Sequence, residues 1–182
     1  MKKLMCAIFM LSLTVAMADA KYVVVESENP AKPDLTRYDT IYISKLGMPA
    51  NLWRNFGYES QDKWLVVVND IDTVSLKTHL AEKAPSKKIV ASVKAPTGAP
   101  GVFVKLAYKG FRQNTGRAYA HNVDTLDVVV TMYDNKTGKQ LYTANVGSQS
   151  TGTFSRGWMM NTLEGRLDNQ VYNLCCFIAG KF

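Results

Sequence analysis

The fold is decided by residues 126–146, LDVVVTMYDNKTGKQLYTANV. Over Leu126–Tyr133 every second residue is apolar, whereas the residues between them include charged, polar and aromatic side chains. This alternation is typical of a strand with one buried face. A second run, Lys139–Val146, is also β-prone. Between the two, Asp134–Gly138 favours a tight reversal, with Gly138 suited to a positive φ. The stretch therefore predicts an antiparallel hairpin whose first strand turns these residues away from the core: Asp127, Val129, Thr131 and Tyr133.

The same alternation predicts three upstream strands: Thr36–Ser44, Lys88–Val93 and Val102–Lys109. The first of them places Ile41 and Ile43 opposite Tyr42. A turn rich in proline and glycine separates the second strand from the third. In the third strand, alternation gives one face to Val104, Leu106 and Tyr108 and the other to Phe103, Lys105 and Lys109.

Two helices are predicted. The first spans Val74–Lys83, with Asp72 as its N-cap and Pro85 as its stop. The preceding run Trp64–Val68 fits either a strand or a helix, and Lys45–Lys63 has the composition of a long loop with room for a helical turn. The C-terminal helix carries a continuous apolar stripe on one face: Met160, Leu163, Leu167, Val171, Leu174 and Ile178.

These elements predict an α+β fold. Its sheet is antiparallel or mixed, with about five strands, and the two helices pack mainly on one face.

Residues 1–20 have the pattern of an export signal. Two lysines precede an apolar run over residues 4–17, and either Ala16-Met17-Ala18 or Ala18-Asp19-Ala20 supplies a small-x-small cleavage site. The run is shorter than the roughly 20 apolar residues of a membrane span. Cys6 lies too early in it for lipid attachment. We therefore expect a periplasmic or secreted protein with no transmembrane segment in the mature chain.

Cleavage after Ala20 would leave an N-terminal arm over residues 21–36 and a single domain over 37–182. The mature net charge is +6, from 20 basic and 14 acidic residues. The segment Lys77–Arg117 holds nine basic residues against one acidic residue, Glu82, which makes it the positive pole of the chain. Such a block either keeps a secreted protein soluble or attracts anionic partners. No nucleic-acid-binding motif accompanies it, so nucleic acid is not predicted.

Two cysteines remain after cleavage. Cys175 falls on the apolar stripe of the C-terminal helix and is expected to be a small buried hydrophobe. Cys176 lies nearer the flank, where an intermolecular disulfide is an open alternative. Two adjacent thiols without a nearby histidine do not predict a metal site, and no cofactor is predicted.

The preferred candidate site is the loop over residues 110–122, which concentrates hydrogen-bond donors between two strands. Arginine forks suit carboxylates and phosphates, and loops on a rigid sheet are common recognition sites. The alternative is that these arginines only solubilise the loop. A second candidate, residues 152–158, leads into the C-terminal helix and could bring donors to its N-terminus, or merely cap that helix. The candidate ligand-binding residues are Arg112, Arg117, Tyr119, His121, Arg156 and Trp158.

Catalysis has weak support in the sequence. His121, Asp124 and Ser148 can be drawn as a triad, but no serine lies in a G-x-S-x-G elbow. We therefore predict a non-enzymatic binding module for an envelope protein or an anionic glycan, with a hydrolase centred on His121 as the alternative. Asp-Thr-apolar sequences also suggest O-linked glycosylation, with Thr125 the best placed.

The element order over residues 38–182 resembles that of small exported bacterial envelope proteins of unknown function, some of which look like the N-terminal domain of TolB. The order is strand, helix, several strands, the hairpin containing Asp134 and Thr137-Gly138, and a C-terminal helix. The resemblance implies a role in the cell envelope without chemistry. Many of those relatives are lipid-anchored and this chain has no lipobox, so membrane attachment does not follow.

Overall fold

The computed structural model describes residues 22–30, 33–95, 98–112, 124–150 and 163–182. Over these residues it shows an α+β fold built on one six-stranded mixed sheet, which confirms the predicted fold class. The strands are β1 (Val23–Asn29), β2 (Thr40–Ile43), β3 (Lys88–Ala91), β4 (Val102–Arg112), β5 (Thr125–Asp134) and β6 (Gln140–Gln149). Their order across the sheet is β1-β6-β5-β4-β2-β3.

Strands β1, β6, β5 and β4 pair antiparallel, whereas β2 pairs parallel to both β4 and β3. Parallel neighbours require a crossover connection. The crossover from β2 to β3 contains a continuous helical rod formed by α1 (Gln61–Asp70), a π-helical turn (Ile71–Ser75) and α2 (Leu76–Lys83). A short 3₁₀ helix (Ala50–Arg54) precedes the rod, and α3 (Leu163–Ala179) is the C-terminal helix.

The rod begins earlier than the first predicted helix. Ser60 is its N-cap, because the Ser60 side chain accepts a hydrogen bond from the Lys63 amide at 3.3 Å. The ambiguous run Trp64–Val68 is therefore helical. Asp72 is not an N-cap, since it lies inside the rod and its carboxylate accepts from the Leu46 amide at 2.7 Å. Burial raises the pKa of Asp72, even though the amides of Leu46 and Gly47 favour its charged form.

The helices cover one face of the sheet. Along α3, four residues of the predicted stripe are buried, as predicted: Leu167, Val171, Leu174 and Ile178. Met160 and the side chain of Leu163, which complete the predicted stripe, lie outside the described part of the chain. His79 of α2 holds Asp168 of α3 at 2.9 Å, which links the two helices. At the other end of the rod, Trp64 is fully buried and stacks on Phe56 with ring centroids 4.6 Å apart.

The predicted hairpin forms between β5 and β6. Gly138 has a φ of 70°, and the Asp134 carboxylate accepts from the amides of Lys136 and Thr137 at 2.9 and 2.8 Å. The Tyr38 hydroxyl donates to the other oxygen of that carboxylate at 2.7 Å. The turn is therefore fixed by its own backbone and by a residue that precedes β2.

The first part of the predicted N-terminal arm forms β1, which pairs with β6 at the edge of the sheet. Glu28 of this strand accepts hydrogen bonds from Lys181 and from the Tyr142 hydroxyl, each at 2.7 Å. These two bonds, that from Lys181 first, lower the pKa of Glu28. The edge strand is thus joined to the C-terminal end of the chain.

Candidate functional site

The second face of the sheet carries no helix over the described residues, and we call it the open face. The residues of the open face are identified from the strand register, since alternate residues of a strand point to opposite sides of the sheet. Leu106, Val130 and Ala144 are paired across β4, β5 and β6, and all three are buried beneath the helices. The residues between them belong to the open face, among them Lys105, Thr131, Thr143 and Asn145.

Aromatic side chains form a row across the open face. Tyr42 of β2 pairs with Phe103 of β4, which in turn pairs with Tyr133 of β5. Directly opposed side chains in a sheet have Cβ atoms about 5 Å apart. Phe103 is buried although it lies outside the main core cluster, and the two flanking tyrosines are half-buried. We call Tyr42, Phe103 and Tyr133 the aromatic row.

Gly101 provides the space for one end of this row. Its φ of 137° disfavours a side chain, and a Cβ there would lie 2.6 Å from the Thr40 carbonyl oxygen and 2.9 Å from a ring carbon of Tyr42. The ring of Tyr42 therefore rests against the backbone of Gly101.

Exposed lysines lie beside the aromatic row. Lys105 follows Phe103 by two residues on the same face, and Lys88 pairs with Thr40, two residues before Tyr42. Among the described residues, neither lysine has an ion-pair partner within 4.0 Å. Lys109 is also exposed, but it lies at the β-bulge between Tyr108 and Gly110, which interrupts the alternation expected for this strand.

Arg112 behaves differently from these lysines. It is the last residue of β4 rather than part of a loop, so the predicted loop over 110–122 begins later than expected. Its guanidinium donates to both oxygens of Asp127 at 2.7 and 2.6 Å and reaches Glu26 at 3.3 Å. The hydrogen bond to Asp127 is the main reason that the pKa of Arg112 is raised. Two carboxylates already occupy the group that was predicted to hold an anion.

The other candidate residues, Arg117, Tyr119, His121, Arg156 and Trp158, lie outside the described residues. The strands that flank their segments are described. Arg112 pairs with Thr125, and Thr125 pairs with Gln149. Segments 113–123 and 151–162 are therefore attached to the ends of adjacent strands, at one end of the sheet, which the separate sequence motifs did not reveal.

Buried polar contacts lie at this same end of the sheet. Asp124 is buried and faces Arg166 of α3, with 3.2 Å between its oxygen and the guanidinium nitrogen. The Ser148 hydroxyl donates to the Gln170 carbonyl at 2.6 Å, and the Gln170 side chain donates to the Asp124 carbonyl at 2.7 Å. The two triad candidates that the structure describes, Asp124 and Ser148, therefore connect the sheet to α3.

Two further expectations concern modification. Thr125 is only 8% exposed, so the prediction that it is the best placed residue for glycosylation is wrong. Cys175 is fully buried, as predicted, and burial raises the pKa of its thiol. Cys176 is half-buried, and an intermolecular disulfide there stays an open alternative.

Within the described residues, no three His, Cys, Asp or Glu side chains come together as a group able to hold a metal ion. No helix in that part of the chain is long and apolar enough to span a membrane.

Comparison with models of known protein families gives no match, and no curated protein matches the sequence. Among solved structures, the PelC dodecamer from Paraburkholderia phytofirmans is 14% identical, with a TM-score of 0.43 over 84% of this chain and 96% of that chain. A homologue of the neuraminyllactose-binding hemagglutinin from Helicobacter pylori is 6% identical, with a TM-score of 0.32 over 85% of this chain and 88% of that chain. These likenesses are too weak to carry a function, and the resemblance to TolB stays a prediction.

Proposed function

We propose that this protein is a non-enzymatic, exported binding module, periplasmic or secreted, whose partner is an envelope protein or an anionic glycan. The observation that carries the proposal is the open face. It presents Lys88 and Lys105 to solvent, and the structure gives neither of them an acidic partner among the described residues. Unpaired cations on a helix-free surface attract and orient an anionic partner.

The lysines, rather than Arg112, supply this charge. An anion that bound Arg112 would have to compete with Asp127 and Glu26, which already hold the guanidinium. Lys88 and Lys105 face no such competition in the described part of the chain. We therefore expect Lys88, Lys105 and the neighbouring Lys109 to dominate the attraction, with Arg112 mainly joining β4, β5 and β1.

The candidate residues on segments 113–123 and 151–162 fit the same proposal. Both segments are attached to the end of the sheet where Arg112, Thr125 and Gln149 lie side by side on neighbouring strands. We propose that Arg117 and Arg156 contribute positive charge to the binding of the anionic partner. We propose that Tyr119, His121 and Trp158 contribute polar and aromatic contacts to it.

A hydrolase centred on His121 is less well supported. Its candidate nucleophile, Ser148, is fully buried and donates its hydroxyl proton to a main-chain carbonyl of α3. A nucleophile needs a general base within hydrogen-bond reach and access to substrate. Its candidate orienting residue, Asp124, faces Arg166.

Binding to polyanions tests the proposal directly. The protein should be retained at about 0.15 M salt on a resin carrying alginate, a polyuronate, or on one carrying polyglutamate, an acidic polypeptide. The triple variant Lys88→Gln/Lys105→Gln/Lys109→Gln should elute at lower salt, whereas Lys63→Gln/Lys77→Gln/Lys136→Gln, which removes the same charge from the helical rod and the hairpin tip, is the matched control. A wild-type protein that binds neither polymer, or a triple variant that elutes with the wild type, would refute the proposal.

Export is tested separately. Mass spectrometry of the protein recovered from outside the cytoplasm should show a mature chain that starts at Asp19 or Lys21. A recovered chain that retains Met1 would contradict the predicted cleavage.

A further inference from the structure

We propose that the aromatic row, together with Lys105, is a binding site for the sugar rings of an anionic glycan. This inference rests on the proposed function and names the partner class of the open face. It involves Tyr42, Phe103 and Tyr133, none of which the sequence motifs had marked as binding residues.

Strand register brings the row together from distant parts of the sequence. Residue pairs Tyr42–Phe103 and Phe103–Tyr133 are each in direct register across neighbouring strands. With adjacent strands about 4.8 Å apart, the row extends about 10 Å across the sheet. It runs perpendicular to the strands, so a chain-like ligand could contact several side chains at once.

The row is suited to stacking because its rings are held in place. Tyr42 is fixed against Gly101, where no side chain could be accommodated. Phe103, between the tyrosines, is only 7% exposed, so it supports the two tyrosine rings from below, and the tyrosines supply the surface that a ligand would contact. Rigid aromatic rings provide contact area with little loss of conformational entropy on binding. The two tyrosines also carry hydroxyl groups that can form hydrogen bonds with a ligand.

The surroundings of the row match a polar, negatively charged ligand. Lys105 lies in the next rank of the open face, where it pairs with Thr131, and Thr131 pairs with Thr143. The two threonine hydroxyls are 3.4 Å apart and both can donate or accept. The nearest acidic residue along the open face of β5 is Asp127, four positions and about 13 Å from Thr131, and it is occupied by Arg112.

An anionic glycan matches both the aromatic rings and the positive charge of this surface. A uronate ring offers an apolar C–H face to an aromatic ring, a carboxylate to lysine and hydroxyls to threonine. An acidic polypeptide matches the charge but lacks a regular series of rings. Single-stranded nucleic acid also offers rings and charge, but the predicted export signal places this protein away from it, and no recognition motif accompanies the row.

The experiment compares two polymers that carry the same number of carboxylates. Binding of alginate oligosaccharides and of polyglutamate is measured by titration calorimetry at equal salt. We expect wild type to prefer alginate. The double variant Tyr42→Leu/Tyr133→Leu should bind alginate about tenfold more weakly, which corresponds to about 1.4 kcal/mol, and should bind polyglutamate unchanged.

Two matched variants separate stacking from charge and from folding. Tyr42→Phe/Tyr133→Phe keeps the rings and should retain most of the alginate preference. Lys105→Gln removes one positive charge and should lower the affinity for alginate and for polyglutamate by a similar factor. Each variant is compared with wild type by thermal unfolding, and the phenylalanine pair and Lys105→Gln keep the test valid if the leucine pair does not fold.

The outcomes distinguish this inference from the proposed function. Equal binding of alginate by wild type and the folded leucine pair, or equal affinity of wild type for the two polymers, would overturn the glycan site and leave an anion-binding module. Loss of alginate preference in the phenylalanine pair would also overturn the stacking argument. Tighter, tyrosine-dependent binding of an oligothymidylate would reject the glycan in favour of nucleic acid. Failure of wild type to bind either polymer would refute both proposals.

Discussion

The two faces of the sheet differ in what their side chains contact, although they are built from the same strands. In β4, Val104 is fully buried beneath the helices, whereas its neighbour Lys105 is exposed on the open face. The same contrast recurs in β5 between Val130 and Thr131. The covered face supplies the apolar burial that stabilises the fold. The open face contributes less to the core and is therefore free to vary in charge and chemistry.

The open face is itself divided. At one end, Arg112 spans Asp127 and Glu26, so positive and negative charges are already matched. At the other end, Lys88 and Lys105 flank the aromatic row and lack ion-pair partners in the described part of the chain. Charge pairing contributes to structure at the first end, whereas unmatched charge at the second is available to a ligand.

The difference between the two faces is tested by placing a carboxylate at each of two adjacent positions of β4. Val104→Asp should unfold the domain, because a carboxylate buried without a partner costs several kcal/mol against a total stability of about 5 to 15 kcal/mol. Lys105→Asp should leave the melting temperature nearly unchanged. Circular dichroism melts of the two variants decide the matter, and similar melting temperatures would show that the assignment of faces is wrong. Leu174→Asp in α3 should behave like Val104→Asp.

Local patterns account for what the sequence predicted correctly. The alternation in β5, the reversal at Gly138 and the stripe that includes Leu167 and Leu174 each lie within one element, and the structure confirms all three. Period and turn chemistry are local properties, so they can be read without knowledge of the rest of the fold.

Non-local contacts account for what the sequence missed. The aromatic row depends on the register of β2 against β4, residues about 60 positions apart in the chain, and no local pattern encodes that alignment. The role of Asp72 depends on the Leu46 amide, which lies 26 residues away. The occupation of Arg112 depends on Asp127 and Glu26 on other strands.

The helical rod offers the same comparison on a single helix. Trp64 is fully buried against Phe56, and its indole nitrogen donates to the Pro49 carbonyl at 2.9 Å. Trp64→Ala should cost about 3 to 5 kcal/mol through lost burial and the cavity left behind. Val66, two residues later, is 70% exposed, and Val66→Ala should change stability by less than about 0.5 kcal/mol. Urea denaturation measures both, and a small effect of Trp64→Ala would contradict the packing of the rod.

The hairpin end of the sheet provides a pH-dependent test. The pKa of Asp134 is lowered to about 2, chiefly by the hydrogen bond from Tyr38 and then by backbone bonds within the turn. An unfolded aspartate titrates near pKa of about 3.9. Asp134 therefore contributes stability that is fully present above about pH 4 and is lost as pH falls through about 2.

The variant Asp134→Asn should consequently be less stable than wild type at neutral pH, and the difference should shrink between about pH 4 and pH 2. Urea midpoints measured across this range provide the comparison. Tyr38→Phe removes the largest cause of the shift and should reproduce part of the effect. A difference that stays constant with pH would mean that the ionised carboxylate does not stabilise this end.

The smallest expected effect on stability concerns the Arg112 end of the open face. The Arg112 side chain is 60% exposed, and exposed ion pairs contribute at most about 1 kcal/mol to stability, even where the geometry is bidentate. Arg112→Gln should lower the free energy of unfolding by less than about 1 kcal/mol, and about 1 M salt should reduce the difference by screening the wild-type pair. Because Asp127 and Glu26 then lose their cationic partner, the same variant should weaken alginate binding more by repulsion than by loss of a contact. Arg112→Gln/Asp127→Asn, which removes one charge of each sign, should therefore recover most of the binding lost in Arg112→Gln. Failure of the double variant to recover it would show that the guanidinium contacts the ligand directly, and that the two ends of the open face do not have separate roles.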